Sequence, residues 1–145
     1  MKYLAILLTA FILIACSTTS KYPHYSVSDA AQTSIKSQNG LRSTLNFKVE
    51  GIGHLKGNKE WYINALHNYK LPSNVTVVIK EKLAPQLSEK LNIKSLNELK
   101  NKEIEVYGLV KREKIYFYKK GLSTGKFYYQ NHIQLTDIEQ IKLLN

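Results

Sequence analysis

Between Leu45 and Leu135 the apolar side chains recur mostly at every second position, and one stretch alone breaks to helical spacing. That pattern constrains the fold most, because a period of two buries one face of a strand and a period of about 3.6 buries one stripe of a helix. Leu45, Phe47 and Val49 alternate with Asn46, Lys48 and Glu50, and Gly51 and Gly53 then predict a bulge or sharp bend. Residues 61–66 read as a second strand, residues 67–74 as a loop, and the β-branched run Val75-Thr76-Val77-Val78-Ile79 as a third strand. Leu83, Leu87, Leu91 and Ile93 fall near one helical face, with Pro85 in the first turn, where a missing N–H does no harm. Ser95-Leu96-Asn97-Glu98 predicts a capped turn. Ile104, Val106, Gly108 and Val110 make a fourth strand. Residues 115–118 and 127–129 make an extended hairpin around Gly121 and Gly125, residues 132–135 a final strand, and Asp137 opens a turn.

The order is three strands, a helical connection, then two or three strands. It predicts a mainly β fold: a small barrel of five to six strands with a helix between strands three and four. That order resembles the OB-fold. Phe47-Lys48-Val49-Glu50-Gly51 resembles a first strand bent by glycine, and residues 99–108, ending Ile104-Glu105-Val106-Tyr107-Gly108, resemble the fourth strand of bacterial OB-like modules. Asn101 stands where such modules usually carry glycine. Ile133, Leu135, Asp137, Gln140 and Ile141 resemble their closing strand and its turn. The likeness spans roughly residues 44–144 and describes barrel construction, so it carries no chemistry across.

The N-terminus predicts an address. Lys2 precedes a 13-residue apolar run, residues 3–15, broken only by Thr9, and the run ends in Leu13-Ile14-Ala15-Cys16. A helix needs roughly 20 apolar residues to cross a bilayer, so this length fits a secretory signal instead. The four residues resemble the lipobox of bacterial lipoproteins. The resemblance implies cleavage after residue 15 and acyl chains, palmitate among them, on Cys16. Ser17 beside the cysteine implies onward sorting to an outer membrane in a Gram-negative host, facing the periplasm or the exterior. The only cysteine of the chain is thereby an attachment point, and no disulfide framework is possible. The predicted organisation is a signal peptide over 1–15, a lipidated cysteine and flexible tether over 16–42, and the β domain over 43–145. About 25 flexible residues would reach on the order of 25–30 Å, with room for a short helix over residues 30–36.

Catalytic motifs are missing from the sequence. His24, His54, His67 and His132 are dispersed, with no H-E-x-x-H pair, and His132 at a strand start reads as a surface or barrel-end residue. Glu103 and Glu105 share one strand face and read as solvated. No G-x-S-x-G elbow occurs, and no cofactor is implied. The chain carries 21 Lys and Arg against 11 Asp and Glu, and this excess is concentrated in residues 111–129. Lys111, Arg112, Lys114, Lys119, Lys120 and Lys126 oppose Glu113 alone there, among Tyr116, Phe117, Tyr118, Phe127, Tyr128 and Tyr129. These six are drawn from fifteen aromatic residues in all.

Two readings of that segment stay open. Its rings and lysines could hold an extended anionic ligand, a nucleic acid or a glycan, with Tyr116, Tyr118 and Tyr128 stacking on it. Alternatively, half of the rings are barrel core and the lysines guard exposed strand edges. At the level of the whole chain, three functions compete. The first is a membrane-anchored, non-catalytic binding module. The second is an envelope interaction or assembly factor using a barrel edge or the Trp61–Tyr62 region. The third is a hydrolase with an unrecognised site.

Overall fold

The computed structural model describes residues 20–144. The signal segment and Cys16 lie outside the described residues. The elements are β1 (His24–Tyr25), α1 (Val27–Lys36), β2 (Leu41–Lys48), β3 (Gly51–Leu55), β4 (Glu60–Asn64), β5 (Val75–Lys80), α2 (Ala84–Lys90), β6 (Glu103–Lys119), β7 (Leu122–Leu135) and β8 (Ile141–Leu143). All the strands belong to one sheet, ordered β1-β2-β6-β7-β5-β4-β3, with β8 pairing β6 off that path. Most pairs are antiparallel; β1 with β2 and β5 with β7 are parallel.

The sheet is curled because β2 and β3 lie towards opposite ends of the path yet follow one another in the chain. At the bend the Val49 N–H donates to the Lys102 carbonyl (2.9 Å) and the Glu50 N–H to the Asn64 carbonyl (3.0 Å), so the two residues join both ends of the sheet. The path itself stays open: among the described residues no ladder joins β1 to β3. The expected closed barrel is therefore a curled half-barrel, mainly β, with α2 between β5 and β6. Its concave side holds the core, where Leu45, Val49, Ile63, Val75, Val77, Ile79, Ile104, Val106, Val110 and Ile133 are fully buried. Leu87, Leu96 and Leu99 cover it from the helical connection.

Residues 20–42 are a correction to the expected tether. Ser26 caps α1: its Oγ accepts the Asp29 N–H (3.1 Å), and its hydroxyl donates to the Asp29 carboxylate (2.7 Å). The acid also sits at the favourable end of the helix dipole. Ala30, Ala31 and Ser34 form the buried stripe, small enough to let α1 lie close on β2 and β6. Ahead of α1, Pro23 and β1 are zipped to β2, with the Thr44 N–H donating to the Pro23 carbonyl (2.9 Å).

Two glycines are required by close approach. Gly40 has φ +76°, and a Cβ there would meet the Val110 carbonyl oxygen at 2.5 Å. Gly108, in mid-β6, would place a Cβ 2.7 Å from Ile133 Cγ2. Ile133 is fully buried and cannot step aside without disturbing its neighbours. Gly108→Ala is thus expected to lower stability by about 1–3 kcal/mol through overpacking. Urea unfolding would read this as a lower midpoint at unchanged slope, and a midpoint equal to wild type would contradict the close approach.

A candidate ligand-binding arm

Beyond Lys111 and His132, β6 and β7 leave the sheet and continue as a two-stranded arm. Lys111 pairs with His132, Lys114 with Tyr129 and Tyr116 with Phe127; the register then shifts before Tyr118 meets Ser123. Lys120 (φ 50°) and Gly121 (φ +80°) make the two-residue turn, and two successive left-handed residues are what a twisted hairpin requires.

The arm resolves the question left by its composition. Tyr116, Phe117, Tyr118, Phe127 and Tyr129 are 43%, 41%, 68%, 44% and 39% exposed. Tyr128 is half-buried, and Lys111, Arg112, Lys114, Lys119, Lys120 and Lys126 are all exposed. The reading in which half of the rings are barrel core is corrected, because the arm carries both its faces past the core. On the core-side face the Arg112 guanidinium lies 3.8 Å from the Tyr129 ring centre, and the Lys114 ammonium lies 3.9 Å from Phe127 and 5.5 Å from Tyr116. Tyr116, Phe127 and Tyr129 form a ladder with 5.9 Å and 5.5 Å between successive centres. On the outer face Phe117 and Tyr128 lie 5.2 Å apart.

Two residues that sequence reasoning passed over complete that outer face. The loop after β4 brings Tyr69 and Lys70 to it, with the Lys70 ammonium 5.8 Å and 5.9 Å from the Phe117 and Tyr128 centres. No local signal marks them, since long-range hydrogen bonds alone seat this loop against the arm. Burial raises the Tyr128 hydroxyl pKa, and nearby Tyr69 adds to the shift.

A polar line runs from Tyr128 back into the sheet. Gln130 Nε2 donates to the Tyr128 hydroxyl (3.2 Å), and Gln130 Oε1 lies 2.6 Å from His132 Nε2. His132, expected at the surface, is only 5% exposed, because Gln130 and Tyr62 cover it. Burial depresses its pKa to about 4, against a smaller opposing pull from Glu60, so the imidazole is neutral at neutral pH. Glu60 accepts hydrogen bonds from Tyr62 and Lys80. Burial pulls the Glu60 carboxyl up, but those two partners outweigh it and hold it below its ordinary range. The Tyr62 hydroxyl is pushed up to about 12 by burial and by that carboxylate.

The other histidines stand apart. His54 stacks on Trp61 at 4.1 Å and lies 3.5 Å from Glu81, while His24 and His67 are exposed. Among the described residues no three His, Cys, Asp or Glu side chains gather as a metal site would need, and no helix is long and apolar enough to cross a membrane.

No family model matches this chain, and no curated protein matches it in sequence. Among solved structures it is similar to the "putative aspartyl-tRNA synthetase from Leishmania major Friedlin", at 9% identity and a TM-score of 0.43, over 92% of this chain. The chain spans 23% of the length of that protein. At that level the likeness carries no inference, and function has to be read from the arm's own residues.

Proposed function

We propose that this chain is a non-catalytic, lipid-anchored envelope protein whose arm binds an extended anionic polymer. Cys16 would carry the anchor, since two acyl chains suffice for stable attachment to a bilayer, and the outer membrane is the proposed address. An OB-like framework is supported by the strand path. With β2 and β3 counted as one bent strand, the path runs first, fourth, fifth, third, second and back to the first, with α2 between third and fourth. In such frameworks the loop between strands four and five is a common ligand contact, and here that loop is the arm.

One observation carries the reading: exposed rings on both faces of a projecting hairpin, with a cation over Tyr116, Phe117, Phe127 and Tyr129. Exposed rings offer stacking at about 1–3 kcal/mol per stacked base. The six arm cations join no ion pair among the described residues, so their charge is free to displace counterions from a polyanion.

Titrating the chain with a labelled single-stranded oligonucleotide, and separately with an acidic glycan, over a salt series tests this. Each neutralised phosphate of a single strand adds about −0.7 to the slope of log affinity against log salt, so engagement of all six cations gives about −4. Lys114→Ala with Lys126→Ala should flatten that slope by about 1.4. Binding that ignores salt, or no binding to either polymer, would sink the proposal.

A further inference from the structure

The outer face of the arm continues onto the sheet and ends in a cleft. Lys111 pairs with His132, and two residues back on β6 Leu109 pairs with Arg42 of β2, all by ladder register on one side of the sheet. The N-terminal segment folds over this surface. Ser20 Oγ donates to the Tyr22 carbonyl (2.8 Å), as does Thr44 Oγ1 (3.0 Å), which fixes the Tyr22 ring edge-on to Tyr107 at 6.0 Å. Between them opens a cleft of about 480 Å³, whose walls include Lys21, Tyr22, Arg42, Tyr107, Lys111 and the buried His132.

The volume suits one small organic unit, and the chemistry of the walls is specific. The Lys21 ammonium lies 5.4 Å from the Tyr107 centre and 5.9 Å from that of Tyr22. Arg42 spends one N–H on the Tyr22 hydroxyl (3.1 Å) and has further donors left, since a guanidinium carries five. Three cations thus stand beside two flat rings. Two carboxylates also reach the cleft, Glu113 and Asp137. Asp137 is already engaged, accepting the Glu139 N–H at 2.9 Å in the turn it caps. Two carboxamides line it as well, Gln134 and Gln140, and Gln140 is already spent, accepting the Thr136 and Asp137 N–H groups and donating to the Tyr107 carbonyl. The cations beside two rings are the pairing that suits a base beside a phosphate.

The cleft and the arm are also joined. His132 lines the cleft, bonds Gln130, and through it reaches Tyr128 in the Phe117–Tyr128 pair. Along β6, Lys111 is six residues from Phe117, about 20 Å. We infer that the cleft is a second subsite for the polymer held by the arm, and that this polymer is a single-stranded nucleic acid crossing from the Phe117–Tyr128 pair over Lys111 to Tyr22, Tyr107 and Arg42. The inference rests on the arm being the first subsite. It places the stacked bases on the outer face, against the Phe117–Tyr128 pair.

The test is fluorescence anisotropy on the full chain in detergent micelles, with fluorescein-labelled oligothymidylates of about 4 and about 12 nucleotides, the span of single-strand site sizes. Wild type should bind the longer oligomer at least about tenfold tighter, the gain of a second linked contact. Arg42→Ala should remove most of that gain and leave the shorter oligomer unchanged. Lys21→Ala, which touches the two rings without the Tyr22 hydrogen bond, should act in the same direction and guards against a misfolded Arg42 variant. Phe117→Ala should weaken both lengths. If wild type binds both lengths with one affinity, or either cleft variant weakens both equally, the cleft is not a subsite although the arm still is. If wild type binds neither oligothymidylate, the nucleic-acid inference is overturned, and the arm reading falls with it only if the acidic glycan also fails to bind.

Discussion

Replacing Asn131 by alanine is expected to cost about 3 kcal/mol or more of folding stability, the largest loss foreseen for a side chain outside the apolar core. Asn131 is 2% exposed and sits where β7 leaves the sheet for the arm. Its Nδ2 donates to the Pro72 carbonyl (2.7 Å) and to the Asn74 carbonyl (3.0 Å). Its Oδ1 lies 3.1 Å from the Ser34 hydroxyl of α1, whose single proton is shared with the Ala31 carbonyl (2.8 Å). Truncation leaves two carbonyls without these donors, at about 1–3 kcal/mol each, and opens a void besides. Asn131→Asp should be no milder, because it removes both donors and buries a charge. Urea unfolding at neutral pH measures the loss, and a change under about 1 kcal/mol would show that the network is dispensable.

The same substitution should loosen the ligand face at temperatures where the chain remains folded. Asn74, held by Asn131, in turn bonds the Leu66 N–H (2.9 Å) and Thr76 Oγ1 (3.0 Å), and so fixes the loop that carries Tyr69 and Lys70. With that loop released, Lys70 leaves the Phe117–Tyr128 pair.

What could be read from the sequence was whatever one face of an element expresses alone. The alternation of Leu45, Phe47 and Val49, the run over residues 75–79 and the stripe through Leu87 and Leu91 each report a buried face, and each became the expected strand or helix. Asn101 shows the same logic at a single residue: it adopts φ 66°, a left-handed conformation glycine enters freely and asparagine tolerates better than most. Of α1 only a short helix over residues 30–36 was legible, and its start at Val27 and its seat on the sheet escaped, because its buried stripe is Ala30, Ala31 and Ser34, which a hydrophobicity pattern passes over. The full length of β6 escaped because a strand solvated on both faces has no reason to alternate; Lys111, Arg112, Glu113 and Lys114 continue the ladder with no apolar period. Within the site, the arm's own rings and cations were legible as a cluster in the chain. Tyr69, Lys70, Tyr22 and Arg42 were not, because they arrive from distant segments through hydrogen bonds that only the folded chain makes. The burial of His132 was hidden for the same reason: its cover is Tyr62 from another strand.

That burial makes the fold acid-sensitive. The groups around His132 are Tyr62 on β4 with Glu60 beside it, Thr76 on β5, Gln130 on its own strand and Lys111 opposite on β6. Desolvation by this packing opposes the charged imidazole, and Glu60 relieves only part of it, so the folded-state pKa falls to about 4 from an ordinary 6.5. Between those two values the unfolded chain binds the proton and the folded chain does not, so stability must fall as pH drops. The contribution is fully present above about pH 6.5, has lost about 2 kcal/mol by pH 5 and on the order of 3 kcal/mol by pH 4. The depressed Glu60 carboxyl is fully ionised in the folded chain through the upper part of this range, and its own contribution fades only below its ordinary 4.5. The slope between pH 6.5 and 5 is therefore the histidine's. His132→Gln, which can keep a hydrogen bond to Gln130 without titrating, should flatten the urea midpoint over that interval while leaving the fall below pH 4.5 in place. A variant retaining the wild-type slope, or a wild-type midpoint level from pH 7 to 5, would mean that His132 accepts a proton in the folded chain and that its cover opens to water.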